Sequence, residues 1–153
     1  GGFYRDNAAR NRVWKTESGR AQFTRPADLD ATGLGAQEGV YRLMTLRSND
    51  QFNTTVYGMS DRLRGIEGDR MLVMMSPDDM AAAGLAAEQR ITLTSAAEDG
   101  IARVVKGLRV IPYDIPRGCL AGYFPELNPL SPLSRGDLAS DTPASKGIPV
   151  RLA

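Results

Sequence analysis

Short apolar runs cut apart by glycine and proline, one brief helix signal, and no long stretch of helical periodicity predict a mainly β chain, a small mixed barrel with one or two short helices. Residues Gly1 to Arg12 are polar and basic with no period, so residues 1–12 are expected to be a frayed or disordered lead and residues 13–153 the domain proper. The stretch Thr16 to Thr24 predicts a turn at Ser18-Gly19 feeding a short strand. Residues 25–39, with Pro26, Gly33, Gly35 and Gly39, predict a loop. Val40 to Leu46 is apolar on both faces, as in a barrel interior or a central strand.

Beyond the loop that follows, Asp61 to Asp69 is a charged link into Arg70-Met-Leu-Val-Met-Met75, a buried strand in which Met71, Met74 and Met75 are expected to fill the core. Ser76-Pro77-Asp78-Asp79 is a helix start: serine accepts a bond from an orphan N–H, proline fits the first helical position, and the acids meet the positive end of the dipole. Gly84 is placed to stop the helix, which is so short that it must pack across neighbouring strands. Arg90 to Thr94 alternates strictly, Glu98-Asp99-Gly100 is a turn, and Ile101 to Ile111 is a long strand with a break at Gly107. Gly118 to Phe124 and Ile148 to Leu152 complete the strands.

Composition narrows the function. The 153 residues fit one domain that buries about two thirds of the surface of its unfolded chain. A net charge of +1, with acids and bases interleaved, gives no basic stripe for nucleic acid. The sequence contains no apolar run of the roughly 20 residues that a membrane helix needs, so no membrane partner is expected. The single cysteine, Cys119, has no partner within the chain, which points to a reducing, cytoplasmic compartment. Histidine is absent, removing the usual general base and the commonest metal ligand, so neither a self-contained triad nor a zinc site is expected. The start at Gly1-Gly2, without methionine, reads as an excised piece of a longer protein.

Two segments carry ligand chemistry. The strand ending in Thr45-Leu46 breaks into a loop crowded with amides and hydroxyls, and a second polar loop from Tyr123-Phe-Pro-Glu-Leu-Asn128 to Ser145-Lys146 again precedes a short apolar strand. Thr45, Arg47, Asn49, Gln51, Asn53 and Thr54 in the first, with Asn128, Ser145 and Lys146 in the second, are the candidate cofactor-binding residues. Amides match a ring edge of alternating donors and acceptors, while hydroxyls and cations suit phosphate. No catalytic residue and no metal ligand is expected in this chain. Arg62 and Arg64 are expected on a solvated face.

From about Trp14 to Ala153 the order of motifs resembles the C-terminal dinucleotide-binding domain of molybdopterin-dependent oxidoreductases, most closely the formate-dehydrogenase-like alpha subunits. The resemblance lies in Thr16 to Phe23, in Thr45-Leu46-Arg47 with Asn53-Thr54, in the Ser76-Pro77-Asp78-Asp79 helix ending Ala83-Gly84-Leu85, and in Phe124-Pro-Glu-Leu-Asn128 followed by Asp137, Pro143 and Lys146. It implies a six-stranded double-psi β-barrel whose two loops grip the guanine dinucleotide tails of a bis-pterin molybdenum or tungsten cofactor. It also implies that the metal-ligating cysteine or selenocysteine and any iron–sulfur cluster lie in upstream domains, which would be this chain's partners. Leu46 and Gln51 stand where many relatives have glycine and histidine, so hydrogen bonding is kept there without a titratable ring. Because double-psi barrels also serve as adaptors for protein recognition, that role is the alternative, and it requires an exposed apolar groove.

Overall fold

A computed structural model describes residues 1–23, 25 and 37–153. The chain divides into two compact units, residues 1–33 and 34–153. In the first, the described residues form isolated turns, one where Asn11 and Val13 donate to the carbonyls of Asn7 and Ala8, another where Gly19 donates to Thr16. The turn at Ser18-Gly19 forms, with Gly19 at φ +65. The strand expected after it does not form in residues 20–23, and the remainder of the expected loop at 26–36 lies outside the described residues.

The second unit is a closed six-stranded barrel of mixed strands, in agreement with the expected class. Its strands are β1 (Tyr41–Leu46), β4 (Leu72–Met75), β5 (Arg90–Ser95), β6 (Val104–Pro112), β7 (Cys119–Tyr123) and β8 (Lys146–Leu152), in the spatial order β1-β7-β4-β6-β5-β8. The charged link expected at 61–69 takes part in a two-stranded ribbon, β2 (Ser60–Asp61) with β3 (Ile66–Glu67). Such two-residue strands fall below what alternation can reveal. The break expected at Gly107 is a bulge: Ile91 pairs with Leu108 and Leu93 with Val105, leaving two residues of β6 opposite Thr92. Gly107 occupies it at φ +74, a conformation that costs a side-chain-bearing residue dearly.

Closure directs alternate side chains inward, where Leu43, Val73, Met75, Leu93, Leu108, Val110, Leu120 and Val150 form the main core. Helix α1 (Pro77–Ala82) is capped by Ser76, whose hydroxyl accepts from Asp79 N at 3.1 Å, and it drives Met80 into that core. The Asp79 carboxylate accepts from Gly118 N at 2.7 Å, which fixes the helix to the start of β7. Cys119 is half-buried and free. Among the described residues no helix is long and apolar enough to cross a membrane.

Pairing direction decides where the loops fall. Strands β1 and β7 are parallel neighbours, so the loops that leave their C-terminal ends emerge at one pole. Strand β8 runs antiparallel to β1, which brings its first residue, Lys146, to that same pole.

Candidate functional site

The mouth at this pole contains a cavity of about 390 Å³ lined by Thr45, Arg47 and Asn53 from the first loop and its strand, by Phe124, Asn128, Ser131 and Leu133 after β7, and by Thr142, Pro143, Ser145 and Lys146 before and at β8. This volume is in the range of small-ligand sites. Six of the nine residues selected from sequence therefore share one cavity. Asn53 and Asn128, 75 positions apart in the numbering, face it together.

Hydrogen bonds between strand ends hold the cationic side. Thr45 donates both its N–H (3.1 Å) and its hydroxyl (3.2 Å) to the carbonyl of Ser145, and the Lys146 ammonium donates to the carbonyl of Thr45. The pairing of β1 with β8 shifts register between Leu43 and Met44, passing from Ile148 to Lys146 and skipping Gly147, which adopts φ +103. The bulge turns Lys146 toward the cavity, a common use of an extra residue in a strand. Arg47 donates to Asn53 Oδ1 at 3.3 Å. Burial lowers the Lys146 ammonium below the ordinary lysine range, and the Arg47 charge lowers it further. Two like charges are thus held at one mouth, a placement that costs energy until an anion lies beside them.

The other three candidates sit behind or beside the cavity. Gln51 is fully buried, and its amide is committed to the protein: Nε2 donates to the carbonyls of Thr54 (3.0 Å) and Phe124 (2.9 Å), while Oε1 accepts from Ser48 N (3.0 Å). Asn49 donates to Asp50 Oδ2 at 2.5 Å, and the Thr54 hydroxyl accepts from Val56 N at 3.1 Å. None of the three lines the cavity.

Sequence reasoning missed five lining residues. Phe124 and Pro143 stand within the quoted motifs without having been assigned a role; Ser131, Leu133 and Thr142 carry no local signal. The Ser131 hydroxyl is shielded and has no hydrogen-bond partner among the described residues. Arg70 was missed as well. It is 5% exposed and donates to Glu126 Oε1 (2.7 Å) and Oε2 (3.1 Å), Ser48 Oγ (2.7 Å), Gln51 Oε1 (3.1 Å) and the carbonyl of Phe124 (2.9 Å). Its guanidinium lies 3.7 Å from the Tyr57 ring centroid and 4.4 Å from that of Tyr123. The available signal was an arginine abutting a fully apolar strand, because arginine is rarely buried without partners.

Two acids, Asp61 buried and Glu126 largely so, tie these loops down. Burial raises the Glu126 carboxyl, but hydrogen bonds from Arg70 and Tyr57 outweigh it and the net shift is downward. Asp61 behaves alike, burial being outweighed by bonds from Arg64 and Tyr123, at 2.5 and 2.8 Å. Arg64, expected on a solvated face, instead pairs with Asp61 and donates to the Arg47 carbonyl at 3.2 Å. Lowered folded values mean that the stabilisation is present above the ordinary carboxyl values, 3.8 for Asp61 and 4.5 for Glu126, and is lost as pH falls through the folded ones. Thermal melts are therefore expected to show Tm falling between about pH 5 and pH 3, with a shallower fall in Glu126→Gln. A Tm that rises on acidification over that interval would contradict the assignment.

Comparison with known proteins agrees with this geometry. The model of the family described as Molydopterin dinucleotide binding domain matches residues 41–149, from the first residue of β1 into β8. An uncharacterized oxidoreductase of Mycobacterium tuberculosis (strain ATCC 25618 / H37Rv) is 41% identical over 145 residues, covering 92% of this chain and 18% of that protein. Protein YdeP of Escherichia coli (strain K12) is 38% identical over 154 residues, covering 99% of this chain and 20% of that protein. The chain thus spans about a fifth of the length of these relatives. A barrel whose two ligand-type loops meet at one mouth, matched by the family model over nearly all its strands, belongs to the molydopterin dinucleotide binding domain family.

Proposed function

We propose that this chain is the tail-holding domain of a larger, cytoplasmic, formate-dehydrogenase-like oxidoreductase, closing over the guanine dinucleotide ends of a bis-pterin molybdenum or tungsten cofactor. The observation that carries this reading is the single cavity in which Arg47 and Lys146 lie with Asn53 and Asn128. The donor set fits such a tail. A diphosphate supplies the anion that two adjacent cations lack, and it is bound best by charge-assisted hydrogen bonds. The edge of a purine presents donors and acceptors in alternation, which two carboxamides match in kind. Ser145 and Thr142 add hydroxyls at the wall.

The metal–pterin group supplies the two-electron chemistry on a small substrate such as formate. This chain's share is affinity, orientation and charge placement on a rigid barrel. Groups that ligate the metal, and any iron–sulfur cluster, belong to the remaining domains of the parent protein.

Titration with GDP, followed by backbone amide shifts, tests the reading. Shifts are expected at Arg47, Asn53, Asn128, Ser145 and Lys146. Removing a charge-assisted hydrogen bond costs about 1.5–3 kcal/mol, so Arg47→Ala and Lys146→Ala are each expected to weaken binding by at least about tenfold. Perturbations confined to the opposite pole, near helix α1 and the start of β7, would end the reading.

A further inference from the structure

Arg70 lies behind the cavity wall and is not among its lining residues, yet it donates hydrogen bonds to both ligand loops at once. We infer that Arg70 is a positioning residue that sets the separation of these loops, holding Asn53 and Asn128 in register for one ligand; this rests on the nucleotide-site reading above. On one side it bonds Ser48 and Gln51, which lie between Arg47 and Asn53 in the chain; on the other it bonds the Phe124 carbonyl and Glu126, which lead into Asn128. A planar guanidinium donates along directions fixed by its own shape, so acceptors bonded to it are held at set distances from one another. The Tyr57 and Tyr123 rings fix the plane of that fork, and the Tyr57 hydroxyl also donates to Glu126 at 2.8 Å. Gln51 provides a second bridge, from its Nε2 to the Phe124 carbonyl.

The cationic side of the mouth is held otherwise. Lys146 and Ser145 are fixed by their bonds to Thr45 at the β1–β8 seam, in which Arg70 takes no part. The Arg47 backbone has its own anchor in Arg64, which donates to its carbonyl, so a ligand that needs only Arg47 and Lys146 should depend little on Arg70. A ligand that spans the cations and both asparagines should depend on it.

The test uses inorganic pyrophosphate and GDP on the full chain. Arg70→Lys keeps the charge but has one nitrogen and cannot reach both loops. GDP affinity is expected to fall about 10- to 100-fold, by analogy with the loss seen when groups that orient metal ligands are removed, while pyrophosphate affinity changes less than about twofold. Gln51→Ala, which removes no charge, should show the same split at smaller size. Hydrogen exchange in the free variants should quicken at residues 48–57 and 124–131 together, with β4 and β6 still protected. Equal GDP affinity in Arg70→Lys and the parent, or parallel loss of both ligands with faster exchange throughout, overturns the inference. If the parent chain binds neither ligand, the nucleotide reading fails, and exchange alone decides: both loops loosening together upholds the role of Arg70, and one loop or neither refutes it.

Discussion

Alanine at position 122 is expected to lower the stability of the barrel by about 3 kcal/mol, the upper end of overpacking costs, and to reduce Tm by about 10 °C. Gly122 sits in β7 opposite Thr45 of β1. A Cβ placed there would lie 2.2 Å from Leu127 Cδ1 and 2.8 Å from the carbonyl oxygen of Leu72. The first contact involves a side chain, but Leu127 is fully buried in the main core and has nowhere to turn. The second involves the backbone of the adjoining strand β4, so relief requires moving a strand rather than a rotamer. Gly58→Ala is the matched control, since nothing lies within 4 Å of its added carbon. A Gly122→Ala protein melting within about 2 °C of Gly58→Ala would show that the strands yield more easily than close packing allows.

Arg70→Met is expected to cost about 3–5 kcal/mol, because removing one member of a buried ion pair leaves the other uncompensated. The side chains of Arg70 and Glu126 are only 5% and 12% exposed, and loss of the guanidinium also strips a donor from Gln51 Oε1 and from the Phe124 carbonyl. The double variant Arg70→Met with Glu126→Leu should recover part of the loss, since apolar replacement of both members of a buried pair is often neutral or stabilising. Urea unfolding of the two variants checks this. A single variant within about 1 kcal/mol of the parent, or a double variant weaker than the single, would refute the account. Stability of the double variant would not restore GDP affinity, because the bond that spaces the two loops is still missing.

The barrel strands were readable because their periodicity or run length reflects burial on a closed sheet. Val73, Met74 and Met75 are buried whichever way they point, which is why that run is uniformly apolar. The helix was readable from Ser76 and Pro77, where capping chemistry is local. The two-residue strands β2 and β3 were not, since two positions define no period. At the mouth, residue type identified Arg47, Asn53, Asn128 and Lys146, whose chemistry alone suggests a ligand. Gln51 looked the same from sequence, but its bonds run inward to Phe124 and Thr54, and only the tertiary pairing of distant loops reveals this. The same holds for Arg70, whose five acceptor atoms come from Ser48, Gln51, Phe124 and Glu126.

Closure by β8 carries a consequence for the order of events during biosynthesis. This strand joins β1 to β5, and its first residue is Lys146. A nascent chain that stops short of it leaves both neighbours as raw edges and lacks one of the two cations at the mouth. The receptacle is completed by the same step that seals the cylinder.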